Sequence, residues 1–167
     1  MAAHGLTYLA LKTEGPVHDR SATWAKYLWA FADPLFLAVS VESWVVRPDL
    51  PGHAIYNPFC WLGLVVIIAS IVTLISGLST RREMRAFVGS NFLLVGLLAT
   101  GAAAIFPVML YSTLAPENSL TAYAVASSHR AFLLASVWWP AGFALATTCF
   151  VFVSRRYAGK VRIEHGN

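Results

Sequence analysis

The sequence predicts an all-α integral membrane protein: a four-transmembrane-helix bundle with both termini cytoplasmic, preceded by the end of an incomplete helix. Three observations predict it. Only 12% of the 167 residues are charged and 57% are apolar. A soluble domain carries about 25% charged residues, so too little polar surface is left to cover a globule in water. The apolar residues gather into four runs, each close to the roughly 20 residues that a helix needs to cross a bilayer core. The cations are placed asymmetrically. Lys12, Arg20, Lys26, Arg81, Arg82, Arg85, Arg155, Arg156, Lys160 and Arg162 fall on one side of the runs, and only Arg47 and Arg130 on the other. Lys and Arg accumulate on the cytoplasmic side of membrane proteins, which orients the bundle.

Residues 1–15, MAAHGLTYLALKTEG, read as a short helix with Gly15 as its terminal cap. An apolar length of at most about 20 Å cannot span a bilayer, so this segment reads as the last turns of a helix that begins upstream. Residues 16–167 then hold the four-helix bundle. The first span, about 24–46, contains Asp33-Pro34, and the proline removes a backbone bond and predicts a kink. The second, about 59–79, is uninterrupted. The third, about 86–111, sets Gly96, Thr100 and Ala103–Ala104 on one face, where small residues let a neighbouring helix approach closely. The fourth, about 131–153, carries Trp138, Trp139 and Pro140 in its outer half, while Trp24, Trp44 and Trp61 fall near the interfaces. Loops 47–58 and 112–130 lie outside. The stretch FPVMLYSTLAPENSLTAYAVASSHR (106–130) reads as an outer cap joining the third and fourth helices. In it Ser119 is placed to N-cap a short helix through Ala126, and Ser127 or Ser128 to start the next helix.

This organisation excludes several function classes. The basic clusters act as topology signals and lipid-headgroup contacts, not as a nucleic-acid footprint. The N-terminus does not read as a signal peptide, because His4 and Lys12 interrupt its apolar stretch. Cys60 and Cys149 fall toward opposite faces, about 20 Å apart by helical rise. A disulfide requires Cα atoms within about 7 Å, so they read as two buried thiols. Haem iron is often held by His, yet His18, His53 and His165 lie in loops or tails, His129 ends a helix, and His4 sits in the incomplete segment. With no glycine-rich phosphate loop, nucleophile elbow or paired His, the chain offers no catalytic, cofactor-binding or metal residue. Polar chemistry inside the spans narrows to two carboxylates. Asp33 sits near mid-span, where a charge costs about 2.5–3.5 kcal/mol on insertion scales. It either handles protons, or is protonated or bonded to a neighbouring helix at the kink. Glu42, one to two turns from the outer end, pairs with Arg47 or Arg130 or reaches the interface. Asn91 bonds across helices.

Three motifs then carry a resemblance. His4-Gly5-Leu6-Thr7-Tyr8-Leu9 with Lys12-Thr13-Glu14-Gly15 is similar to the segment that closes the fourth helix in subunit II of cytochrome bd-type quinol oxidases. Phe106-Pro107, Ser119-Leu120-Thr121 and Ala126-Ser127-Ser128 resemble the family's outer segment before its last helix, and RRYAGKVR (155–162) resembles its ending. The order and spacing match, but over only the second half of the family's usual length, about helices five to eight. Departures fall in the outer segment, where Tyr111-Ser112-Thr113 replaces a Pro-Ser-Ser and Ala124-Val125 an acidic neighbourhood.

The resemblance implies a non-haem membrane subunit of a respiratory-chain enzyme that oxidises quinol and reduces O2. Haems b and d belong to the partner, subunit I, and none to this chain; in some members subunit II carries a proton route or a bound quinone. The implied partners are subunit I, the N-terminal half of subunit II and the lipid bilayer, in a bacterial or archaeal cytoplasmic membrane. No catalysis is expected from the chain alone. Two other readings stay open: a stand-alone four-helix transporter with Asp33 as its proton-coupled carboxylate, and a non-functional fragment.

Overall fold

The structure is a computed structural model and describes residues 1–124, 129–157 and 159–160. It has four helices long and apolar enough to cross a membrane. The chain divides into two units, Met1–Ile105 with the C-terminal tail from Lys160, and Phe106–Gly159.

In the first unit, α1 (Ala2–Lys12) and α2 (Pro16–Val46) form a helical hairpin. Thr13 ends α1, with its N–H and hydroxyl both returned to the Leu9 carbonyl. Gly15 is therefore not the cap of α1. It stands at the head of α2 with φ 72°, a left-handed conformation that glycine adopts without a Cβ penalty. Pro16 follows at the first helical position, where a missing N–H costs nothing. This is why α2 starts eight residues before the expected span. It runs through Pro34 as one helix of 31 residues, about 46 Å long.

The loop between α2 and the next long helix contains a short helix, α3 (Leu50–Tyr56), that the sequence does not predict. Asn57 then serves two helices. Its side-chain oxygen accepts from Phe59 N–H and caps α4 (Pro58–Ser79), while its Nδ2 donates to the Ala103 carbonyl of α5 (Glu83–Ile105). Asn91, expected to bond across helices, instead donates to the Phe87 carbonyl one turn back in its own helix.

The α4–α5 pair is the densest packing in the unit. The buried positions of α4 are Cys60, Gly63, Ile67, Ser70, Leu74 and Gly77, alternating steps of three and four. Those of α5 are Ala86, Gly89, Ser90, Leu93 and Gly96. Such spacing keeps one narrow seam facing the partner, as in left-handed antiparallel pairs. Glycine lets the backbones meet: a Cβ on Gly89 would lie 2.6 Å from Leu74 N, and one on Gly77 2.7 Å from Ala86 Cα. At the other end Thr100 occupies the notch left by Gly63. The turn between the helices is a Schellman motif. Arg82 N–H bonds the Gly77 carbonyl and Arg81 takes the left-handed position at φ 54°, where glycine is usual.

In the second unit the expected third span stops early, at Ile105 rather than Tyr111. Pro107 has no N–H to extend the ladder and disfavours helical backbone at Phe106. The chain turns into β1 (Val108–Leu110), which pairs antiparallel with β2 (Leu120–Thr121). Ser119 is thus not a helix N-cap. Its hydroxyl accepts from Ser112 N–H at 3.1 Å, inside the loop that the strands close. The single turn of 3-10 helix is upstream, at Pro116–Asn118. The pairing gives the backbone partners across the loop, which a seven-residue helix over 120–126 would not supply. Ser127 and Ser128, with residues 125–128 generally, lie outside the described residues, as does His165. The last helix, α6 (His129–Arg156), has no buried residue. Cys60 is buried as expected, but Cys149 on α6 is exposed.

Candidate functional site

The polar chemistry of the first unit gathers where α1 lies against α2 and α5. Ala3, Thr7 and Ala10 turn one face of α1 inward. Thr7, 2% exposed, donates its hydroxyl to the Ala3 carbonyl (2.8 Å) and accepts from Trp29 Nε1 of α2 (3.1 Å). A buried indole N–H and a buried hydroxyl each need a partner, and here they satisfy one another.

Beside them His4 meets Ser90 of α5, which is fully buried. The Ser90 hydroxyl lies 2.7 Å from the Phe87 carbonyl and 2.9 Å from His4 Nδ1. A carbonyl only accepts, so the single Ser90 proton goes to Phe87 and His4 Nδ1–H donates to Ser90 Oγ. The imidazole also stacks on the Phe87 ring at 5.4 Å. His4 is therefore committed to holding α1 against α5. Among the described residues no three His, Cys, Asp or Glu side chains come together to hold a metal ion.

At the basic end, His18 Nδ1 donates to the Ala10 carbonyl at 2.8 Å, again because a carbonyl only accepts. Glu83 sits 3.5 Å from His18 on one oxygen and 2.6 Å from Lys160 Nζ on the other. As an acid in the first turn of α5 it also faces the positive end of the helix dipole. Around these groups lies a cavity of about 410 Å³, whose wall includes His18, Asp19, Lys26, Arg81 and Glu83. A second cavity, about 400 Å³, lies toward the opposite end of the same unit. It is lined mainly by apolar side chains, among them Phe36, Trp44 and Leu97, and by Thr100, whose hydroxyl is buried with no partner among the described residues.

The sequence-predicted carboxylates are elsewhere. Asp33 and Glu42 are both exposed on α2, nine residues and about 14 Å apart along the axis, so they do not form a pair. Arg47, expected as a partner of Glu42, forks onto Asp49 with Nη2–Oδ2 at 2.7 Å. The Arg47 hydrogen bond is the main reason the Asp49 carboxyl is held below its usual value. Two residues of separation across a turn favour this pair over one reaching back along the helix.

Of the motif residues, Lys12, Thr13, Glu14 and Gly15 make the reversal between α1 and α2, while Gly5 has open space around it. Phe106 and Pro107 close α5, and Phe106 meets Tyr123 edge-to-face at 5.8 Å. Ala122 N–H bonds the Pro107 carbonyl at 2.8 Å, tying the segment that follows Leu120 and Thr121 back to the turn. Sequence reading missed Ser90, Thr7 and Trp29. The signal for Ser90 was present, since Ser70 and Ser90 interrupt the apolar spans at seam positions.

With this geometry in place, comparison with known families gives one result. The family model for cytochrome bd terminal oxidase subunit II matches residues 1–156. The chain belongs to the cytochrome bd terminal oxidase subunit II family. No curated protein matches it. The family match spans the α1–α2 reversal, both cavities and the strand-paired segment, and it makes the chain a membrane protein of an oxidoreductase family.

Proposed function

We propose that the chain is the C-terminal half of subunit II in a cytochrome bd-type quinol:O2 oxidoreductase. It supports the haem-bearing subunit I and catalyses nothing alone. The observation that carries this is the family match over residues 1–156 of a chain with four membrane-length helices. In this reading α1 continues a helix supplied by the N-terminal half, and the membrane is the cytoplasmic membrane of a bacterium or archaeon.

A bound quinone has the apolar cavity beside Thr100 as its candidate seat. Its size falls within the roughly 300–1,000 Å³ of small-molecule sites, and its rim is aromatic.

The test is to tag the chain, purify it gently from its native membrane and record a dithionite-reduced minus oxidised spectrum. Co-purified b- and d-type haem bands with a larger subunit are the expected result. A haem-free preparation with no larger partner would sink the proposal. Asp33→Asn variants would then test the transporter reading, which requires loss of proton-linked transport.

A further inference from the structure

The proposed oxidase role assigns nothing to the cavity at the basic end, and its construction is specific. Two structural layers make it. The inner layer is small: Ala10, Ala25 and Ala86 are buried, and Gly77 lies against Ala86, so no side chain fills the space between α1, α2 and the α4–α5 turn. The outer layer is charged. Glu83 is already paired with Lys160, and His18 Nδ1 stands 3.5 Å from its other oxygen. Among the described residues neither Lys26 nor Arg81 is in an ion pair, and both are exposed at the cavity wall, with Asp19 as the other acid. The remaining charge is therefore two cations against one carboxylate.

We propose that this cavity binds a phosphate group carried by a glycerophospholipid. Lys26 and Arg81 hold the phosphate, and Asp19 faces any amine of the headgroup. Three arguments favour a lipid as the source of the phosphate. The charge asymmetry puts Lys26 and Arg81 at the cytoplasmic headgroup level. Guanidinium and ammonium groups are the usual donors to phosphate oxygens. The apolar inner layer, between helices long enough to cross the membrane, suits glycerol and the first acyl carbons rather than a hydrated ion.

The experiment is native mass spectrometry of the protein purified from its own membrane with its accompanying chains, after extensive detergent exchange. Wild type should retain a phospholipid adduct that the Lys26→Gln/Arg81→Gln variant loses. Two basic contacts at a headgroup surface correspond to about a thirtyfold loss of affinity. Arg85→Gln removes a cation from the same turn that does not line the cavity, and should leave the adduct unchanged. Arg81→Gly separates binding from folding, because glycine suits the left-handed position. It should keep or raise thermal stability and still weaken the adduct. Equal adducts in wild type and the double variant, or equal loss in Arg85→Gln, would overturn the proposal. Displacement of the adduct by millimolar inorganic phosphate would overturn the lipid as the source.

Discussion

Replacing Gly77 or Gly89 by alanine tests whether the α4–α5 seam is held by backbone contact. A Cβ at position 89 would meet Leu74 N at 2.6 Å and Leu74 Cα at 2.9 Å, and one at position 77 would meet Ala86 Cα at 2.7 Å. Carbon atoms rest about 3.5–4.0 Å apart, so the helix axes must separate by roughly 1 Å. The struck atoms are backbone and cannot rotate away. Such overpacking costs about 1–3 kcal/mol, offset by the roughly 0.5–1 kcal/mol that alanine gains over glycine in a helix. A net loss of about 1–2 kcal/mol per site follows, or roughly 2–8 °C in melting temperature for a chain of this size. Both substitutions push the same helices apart, so their double variant should lose less than the sum. Gly101→Ala is the control, because nothing lies within 4 Å of its Cβ position. It should gain stability by the propensity term alone. The assay is thermal unfolding in detergent followed by alkylation of buried Cys60, in a Cys149→Ser background that removes the exposed thiol. If Gly77→Ala and Gly89→Ala melt with or above Gly101→Ala, the seam is not a backbone contact and the packing argument fails.

Other consequences can be measured on the same preparation. Trp29→Phe removes the indole donor to Thr7 and should cost about 0.5–1.5 kcal/mol; a double-mutant cycle with Thr7→Val should show coupling, and strict additivity would refute the bond. Gly15→Ala forces a Cβ at φ 72° and should cost about 1–2 kcal/mol, while an unchanged melt would place the reversal elsewhere. Asp33→Leu should favour insertion of α2 by about 3 kcal/mol in a translocon assay, and no change would put Asp33 outside the hydrocarbon. Asp49 has its folded carboxyl lowered by Arg47. Its contribution to stability is therefore present above the ordinary carboxylate value and is lost as pH falls through the depressed one. The stability difference between wild type and Asp49→Asn should be constant at neutral pH and shrink below about pH 4, and growth of the difference in acid would refute the pairing.

How much of this was legible depended on the range of the forces involved. The four spans could be read because hydropathy is a property of each segment, and the basic asymmetry because insertion responds to charge near each span. The early end of α5 was half legible. Pro107 announced a break, but the strand pairing of Val108–Leu110 with Leu120–Thr121 joins residues across a loop whose own composition suggested a helix. Asn91 and Asn57 show the same limit. Both are polar residues at span ends, and only the positions of neighbouring backbones made Asn57 the one that bonds across helices. Asp33 and Glu42 attracted notice because a carboxylate in a span is costly, yet the structure leaves both exposed and gathers its polar contacts around His4, Thr7, His18 and Ser90.

The sequence by itself determined the membrane class, the number of spans and the family, because these follow from composition, run length and ordered local motifs. Only the tertiary structure decided which small residues form the seam, which histidine meets which serine, and where cavities remain. Those outcomes depend on distances between helices, and such distances are set by side chains far apart in the chain meeting at contact range.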